Sequence, residues 1–412
     1  MNILKNIYFF SMNDFSLTDG ETVRAIGIIE ALVEKGHYIT LISNAIEMKK
    51  FPNNVKHIFI NKKLSKNKKR KFQFILAILP FIFVKMIYKN IFKHFDQIFK
   101  KYYLFNKEII FFEYFDNTLA YYFKKSGLIG SCINDIHGIA PLEFWYTKQR
   151  SITGSIVKYI KYIISKLLDY KVYKTIDGLI VINNTIKNYL IKEYPFLKKK
   201  KIYIVADGIS KSLLEQGIDN DLIATFKNRY YLNDYTKIIL FAGSFKSFGG
   251  VPDLVKAFIK MHDKYRNLKL LLIGDGEDYA YVKELIENNG IGNKVILLGP
   301  TNYNKLKSYQ KLSDVIVCPD LKHPFTDMII HTKYFESLSS GKVVINGKFS
   351  AVKEINDNEQ LSLSFEPSNI CDLASKMIYA LDNLEMLTDK YKNNAYIIGE
   401  LYSYKSFVNG LL

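Results

Sequence analysis

Lys333 and Glu336 lie three positions apart in the run His331-Thr332-Lys333-Tyr334-Phe335-Glu336, and on a helix that spacing puts both side chains on one face. There the carboxylate can hold ribose hydroxyls and the ammonium a diphosphate. An ordinary surface salt bridge has the same spacing. Two other stretches run from apolar residues straight into glycine: Leu240-Phe241-Ala242-Gly243-Ser244-Phe245-Lys246, continuing to Gly249-Gly250, and Leu271-Leu272-Ile273-Gly274-Asp275-Gly276-Glu277. Beyond the carboxyl ends of parallel strands, exposed amides at a helix start favour phosphate, which makes the loops at Gly243 and Gly274 candidates for that contact. Gly20, in Ser16-Leu17-Thr18-Asp19-Gly20-Glu21-Thr22, repeats the arrangement near the amino terminus. Glycine placed for backbone freedom alone is the alternative at each turn. Gly-x-Gly-x-x-Gly and Gly-Lys-Ser/Thr signatures do not occur, which disfavours nicotinamide and P-loop chemistry.

The elements that must carry these residues follow from periodicity. Apolar residues 3–10, a helical pattern over 22–35 and an apolar strand over 38–43 make a βαβ opening. Further strands are expected at 55–60, 107–112, 132–136, 178–182 and 201–205, with a long helix over 152–174. A second series has strands at 237–242, 269–273, 295–298, 315–318 and 343–345. Its helices fall near 251–264, 278–289, 304–312, 332–339 and 370–381. The stretch from Ala206-Asp207-Gly208 to about Tyr235 reads as an irregular crossing between the two. Continuous apolar strands alternating with amphipathic helices imply α/β architecture, with parallel sheets covered on both faces. At 412 residues two such domains are the natural expectation.

Charge is distributed unevenly. Of the net +18, the segment 48–107 holds sixteen Lys or Arg against the single acid Asp96, a local excess of +15. It contains the apolar run from Phe74 to Val84, broken by Pro80 and too short to span a bilayer. Cations beside aromatic and aliphatic side chains suit an anionic membrane surface; a buried helix next to a solvated loop is the alternative. Nucleic acid is disfavoured, since no recognisable binding module accompanies the charge. Cys132, Cys318 and Cys371 are scattered and odd in number, which argues against disulfides and zinc and fits a reducing cytoplasm. No paired carboxylates stand out as the acid and nucleophile of a hydrolase.

Taken in order, Gly-Ser-Phe followed by Gly-Gly-Val-Pro-Asp-Leu-Val-Lys-Ala-Phe, then Leu-Ile-Gly-Asp-Gly-Glu, Val-Ile-Leu-Leu-Gly-Pro, Leu-Ser-Asp-Val-Ile-Val-Cys-Pro and Thr-Lys-Tyr-Phe-Glu-Ser-Leu-Ser-Ser-Gly-Lys resemble the retaining glycosyltransferases of the GT-B fold, the large family 4 group. The resemblance covers essentially the whole chain. Asp19-Gly20-Glu21 looks like the family's opening loop, and Val205-Ala206-Asp207-Gly208 like its domain crossing.

The resemblance implies two Rossmann-like β/α/β domains facing across a cleft. Residues 1–206 would bind the acceptor, with a membrane segment at about 62–95, residues 207–398 would bind a nucleotide-sugar, and a tail, 399–412, would pack back on the first domain. Glu336 would bind the donor ribose as the second glutamate of a paired motif, with Lys333 beside it. The first glutamate's position is Met328, so the adjacent Asp327 is the substitute for contact with the sugar. Gly243, Ser244 and Lys246 would lie at the diphosphate, with Gly20 and Gly274. His137, in Asn134-Asp135-Ile136-His137-Gly138, would face the transferred sugar, and Glu113 is an alternative acid for the acceptor. The implied activity is metal-independent, cofactor-free transfer from a nucleotide-sugar to a glycan or lipid-linked acceptor in surface polysaccharide synthesis, peripheral on the inner face of the cell membrane. An epimerase of the same fold, or a non-catalytic binding protein, is the remaining alternative.

Overall fold

The computed structural model describes residues 4–13, 15, 20–44, 53–146 and 152–411. The chain forms two compact units, one of Met1–Ala206 with Tyr404–Leu412 and the other of Asp207–Ser403.

The first unit is built on β1 (Asn6–Phe10), β2 (Tyr38–Ser43), β3 (Val55–Phe59), β4 (Glu108–Phe111), β5 (Ser131–Ile136), β6 (Gly178–Val181) and β7 (Lys201–Ile204). They form one sheet in the order β3-β2-β1-β4-β5-β6-β7. Every pairing is parallel, with Phe9 opposite Leu41 on one side and Ile110 on the other. Its helices are α1 (Gly20–Glu34), α2 (Lys66–Ile78), α3 (Phe81–Lys101), α4 (Tyr114–Lys125), α5 (Ala140–Tyr146), α6 (Ile152–Thr175) and α7 (Asn184–Glu193).

Phe92, Phe95 and Phe99 of α3 enter an aromatic layer with Phe10, Phe111, Tyr122 and Phe123, in which the Phe92 and Tyr122 rings lie 4.3 Å apart. Each fully buried Phe contributes about 1.5–3 kcal/mol. The apolar run expected around Pro80 is therefore a helical hairpin. Leu79 and Pro80 separate α2 from α3, and one face of each helix is core while Phe74, Ile78, Ile82, Phe83 and Met86 remain exposed. Among the described residues no helix is long and apolar enough to cross a membrane.

The second unit begins with α8 (Lys211–Leu214) and α9 (Asn220–Arg229). The sequence reading made this polar stretch irregular. The Asp219 carboxylate instead caps α9 by accepting from the Leu222 amide at 2.8 Å, and Phe226 is buried against Tyr309. Strands β8 (Lys237–Ala242), β9 (Leu268–Ile273), β10 (Val295–Gly299), β11 (Val315–Cys318), β12 (Val343–Gly347) and β13 (Leu363–Phe365) pair in the order β10-β9-β8-β11-β12-β13. The short β13 was not expected, because three residues carry too little pattern to separate from a loop. Around the sheet stand α10 (Val251–Met261), α11 (Tyr279–Asn288), α12 (Leu306–Leu312), α13 (Thr332–Leu338), α14 (Ser350–Lys353), α15 (Ile370–Asp382), α16 (Leu384–Tyr391) and α17 (Asn394–Leu401).

The last helix, α18 (Tyr404–Phe407), groups with the first unit. There the Tyr404 ring occupies the space left by Gly27 of α1, where a Cβ would stand 2.1 Å from its Cδ2.

One charged contact ties α1 to the centre of the first sheet. Arg24, 2% exposed, donates from Nε and Nη2 to the two oxygens of Asp135, both at 2.8 Å. Its remaining donors reach the carbonyls of Val205 at 2.9 Å and Ala206 at 3.3 Å. Arg24→Met leaves the Asp135 charge buried and unpaired, which costs about 3–5 kcal/mol. Trp145 is the chain's single tryptophan and belongs to the first unit, so its fluorescence reads that unit during urea unfolding. The midpoint is expected to fall sharply in Arg24→Met and to recover in Arg24→Met/Asp135→Leu. A double variant as unstable as the single one refutes the assignment.

Candidate active site

In an open parallel sheet, the crevice for a ligand forms beyond the carboxyl ends of the strands, where neighbouring connections leave in opposite directions. In the second unit that point lies between β8 and β11. The loops there are knitted tightly. Gly250 has φ +68°, and a Cβ on it would meet the Pro319 carbonyl oxygen at 1.8 Å. Gly274, φ +137°, would likewise collide with the Gly243 carbonyl at 1.9 Å. Only glycine permits these approaches, and the Leu321 amide, donating to the Phe248 carbonyl at 2.8 Å, closes the β8 loop onto the β11 loop.

Lys333 projects to this edge. Its Nζ is 2.7 Å from Asp320 Oδ1 and 5.4 Å from the centre of the Phe241 ring, and its Cδ lies 3.6 Å from where Gly243 would carry a side chain. Asp320 is almost fully buried and also stands 3.9 Å from His331 Nε2. Burial lowers the His331 pKa below its ordinary value, and Lys333 and Lys246 add to that against the opposing pull of Asp320. The imidazole is therefore neutral at neutral pH. Ser244 and Lys246 are both exposed beyond β8, and the Lys246 ammonium sits 5.4 Å from the Phe248 ring centre.

Glu336 does not pair with Lys333, so their spacing is not that of a surface salt bridge. Its Oε1 accepts from the Tyr303 hydroxyl at 2.5 Å. Burial raises the Glu336 pKa, and the Tyr303 bond and Lys333 oppose that rise. Asp327 does not supply the open carboxylate expected of it. Its two oxygens accept from the Ser350 amide at 2.9 Å and the Ser350 hydroxyl at 2.6 Å, which fastens the turn before α14, and neighbouring Met328 is buried.

In the first unit His137 follows β5, with Nδ1 3.5 Å from Asp135 Oδ2 and about a quarter of its side chain exposed. Burial pushes the Asp135 carboxyl up, but Arg24 and His137 outweigh it and hold the group below its usual range. Glu113, nearly buried just beyond β4, has Lys69 Nζ 4.0 Å from its Oε2. Gly20 opens α1, whereas Asp19 and residues 16–18 lie outside the described residues.

Residues 223–397 match the family described as glycosyl transferases group 1. That match takes in most of the second unit and less than half of the chain. The matched span includes Gly243, Gly274, Lys333 and Glu336. An uncharacterized glycosyltransferase of Methanocaldococcus jannaschii is 26% identical to this chain over 169 residues, which is 41% of this chain and 42% of that protein. The chain thus matches less than half of that relative's length. Among solved structures, sucrose-phosphate synthase from Thermosynechococcus elongatus superposes with a TM-score of 0.72 at 15% identity, covering 99% of this chain and 97% of that one. Anabaena HepE in complex with UDP and glucose gives 0.68 at 13% identity, with 98% of both chains covered. The chain therefore has the GT-B fold.

Asp320 and Tyr303 escaped the sequence reading. Asp320 left a trace, an acid two residues beyond an apolar strand, whereas Tyr303 is one of thirty tyrosines with nothing to mark it. Asp320→Asn removes the larger of the two negative charges, Asp320 and Asp207, that favour the charged form of His331, so the His331 pKa should drop further in an NMR titration. The variant should also lose about 1.5–3 kcal/mol with the charged hydrogen bond to Lys333. A His331 pKa that rises instead contradicts this geometry.

Proposed function

We propose that the protein is a glycosyltransferase that moves a sugar from a nucleotide-sugar to a glycan or lipid-linked acceptor, with retention and without a metal ion, in surface polysaccharide assembly. The observation that carries this reading is Lys333 beside Gly243 at the switch point of the second sheet, with Glu336 one turn along the same helix. HepE, solved with UDP and glucose, supports a UDP-linked donor.

As the bond from the sugar's anomeric carbon to the diphosphate oxygen breaks, negative charge grows on the departing oxygens, and a positioned cation stabilises it. Lys333 is that cation, with exposed Lys246 as a second. The positive end of the α10 dipole, at Gly250 and Val251, adds to them. Glu336, held by Tyr303, accepts from the ribose hydroxyls. The acceptor oxygen bonds to the anomeric carbon on the face the diphosphate leaves, and its proton passes to a departing diphosphate oxygen. In the first unit His137, oriented by Asp135, faces the transferred sugar. A second reading, nucleotide-sugar binding without turnover, draws on buried Met328 and on Asp327 being committed to Ser350.

The donor site is checked by thermal shift against a panel of UDP-, GDP- and CMP-sugars. The right donor at about 100 times its Kd adds about 2.7 kcal/mol to the folded state. Donor turnover should fall at least about 100-fold in Glu336→Ala and in His137→Ala. Melting shifts without turnover in the parent protein favour the binding-only reading, and unchanged turnover in both variants sinks the site.

The same reading places the protein peripherally on an anionic inner membrane face through the outward side of α2 and α3. Each Lys or Arg there contributes about 1 kcal/mol. Flotation with phosphatidylglycerol vesicles, but not with phosphatidylcholine vesicles, is expected. It should disappear in Ile82→Asp/Phe83→Asp/Met86→Asp, whose three positions are more than half exposed. Equal flotation on both lipids contradicts the electrostatic part.

A further inference from the structure

Between α2, α5 and α6 the first unit holds a groove of about 420 Å³, within the size range of small-molecule sites. Phe74, Phe144, Ile160, Ile164 and Leu168 form its walls, and Arg70, Lys71 and Lys161 stand around them. Along α6, Ile156, Ile160, Ile163 and Leu167 are exposed at helical spacing, so an apolar stripe runs past the groove. Such a stripe on a soluble surface marks a binding site more often than chance.

Two lining residues fix where the groove lies. Tyr114 directly follows Glu113 beyond β4, and Phe144 is carried by α5, which begins three residues after His137. The groove therefore adjoins the carboxyl edge of the first sheet, where the sugar-facing residues stand. An apolar slot with cations beside it matches a long hydrocarbon chain ending in phosphate. A neutral glycan offers neither the chain nor the charge.

We propose that this groove holds the hydrocarbon chain of a lipid-phosphate-linked acceptor, with Arg70 and Lys161 at the phosphate, so that its sugar end meets the edge beside His137. The proposal rests on the glycosyl-transfer reading and names its acceptor class.

Trp145 supplies the probe, because it is the only tryptophan, neighbours Phe144 on α5, and packs 5.0 Å from the ring of Tyr162 on α6. Bromododecyl phosphate, kept below its micelle concentration, should quench Trp145 fluorescence saturably. Phe74→Asp/Ile160→Asp should weaken that binding by about tenfold or more, since charges then line the slot. Arg70→Glu/Lys161→Glu should weaken bromododecyl phosphate about tenfold and neutral bromododecanol by less than about twofold.

Undiminished quenching in Phe74→Asp/Ile160→Asp, with an unchanged circular dichroism spectrum, overturns the proposal. Quenching by brominated phosphatidylglycerol vesicles but not by the monomeric phosphate also overturns it, in favour of a bulk membrane surface. The UDP-glucose melting shift of the unaltered protein reports the donor site separately. Saturable quenching with no shift for any nucleotide-sugar supports the groove while removing the transfer reading.

Discussion

A parallel sheet covered by helices on both faces has room for polar chemistry only at its edges, because every strand position in between must be apolar or have its polar groups paired. Both units obey that constraint. Strands such as Ile238 to Phe241 and Leu270 to Ile273 are fully packed, and the groups able to handle charge gather past the carboxyl ends. In the second unit those are Asp320, Lys333 and Glu336, and in the first Glu113 and His137. The strand orders put a switch point between β1 and β4 in one sheet and between β8 and β11 in the other. The glycine contacts at Gly250, across the switch point, and at Gly274, between the β8 and β9 loops, follow from the same constraint, since loops crowded at one sheet edge must pass within van der Waals distance of each other.

Two buried carboxylates at these edges are neutralised by different cations, and the difference separates structure from ligand handling. Asp135 is gripped by the Arg24 guanidinium, whose fork spends its other donors on the Val205 and Ala206 carbonyls. That planar, fully engaged group has no capacity left for a ligand. Lys333 meets Asp320 as a point charge through a single 2.7 Å contact and keeps part of its side chain exposed. An ammonium with three rotatable donors can add a phosphate oxygen while retaining Asp320. The fixed pair orients His137, and the looser one is the place where an incoming anion can be met.

The alternation of strand and helix was largely legible, because parallel strands such as Gly178–Val181 and Val315–Cys318 are continuous apolar runs between strongly periodic helices. The helix at Asn220–Arg229 was not, since its identity lies in the Asp219 cap and a single buried aromatic, Phe226, within a polar stretch. In the site, Lys333, Glu336 and the glycines stood out because spacing along one helix and glycine after a strand are local signals. Asp320 reaches Lys333 across 13 residues and Tyr303 reaches Glu336 across 33, and nothing local encodes such pairings. Arg24 belongs with these. A lone arginine within the apolar stretch of α1 hints at burial, yet its partner is 111 positions away. Asp327 shows the converse error, a carboxylate in the expected place whose oxygens the nearby Ser350 takes.

The hairpin of α2 and α3 raises a question that stability alone does not answer. Its inward residues, Phe72, Val84, Tyr88, Phe92, Phe95 and Phe99, are buried, and at about 1.5–3 kcal/mol for each large apolar side chain they suffice to hold it on the sheet. Ile82, Phe83, Met86 and Ile87 on the opposite side add nothing to that packing, yet each is more than half exposed. Polar residues there would fold as well and dissolve better. Lys85, Lys89 and Lys93 alternate with them along the same helix, so the surface joins apolar side chains to positive charge. Water alone selects against that combination, whereas the boundary between lipid headgroups and acyl chains satisfies both halves of it.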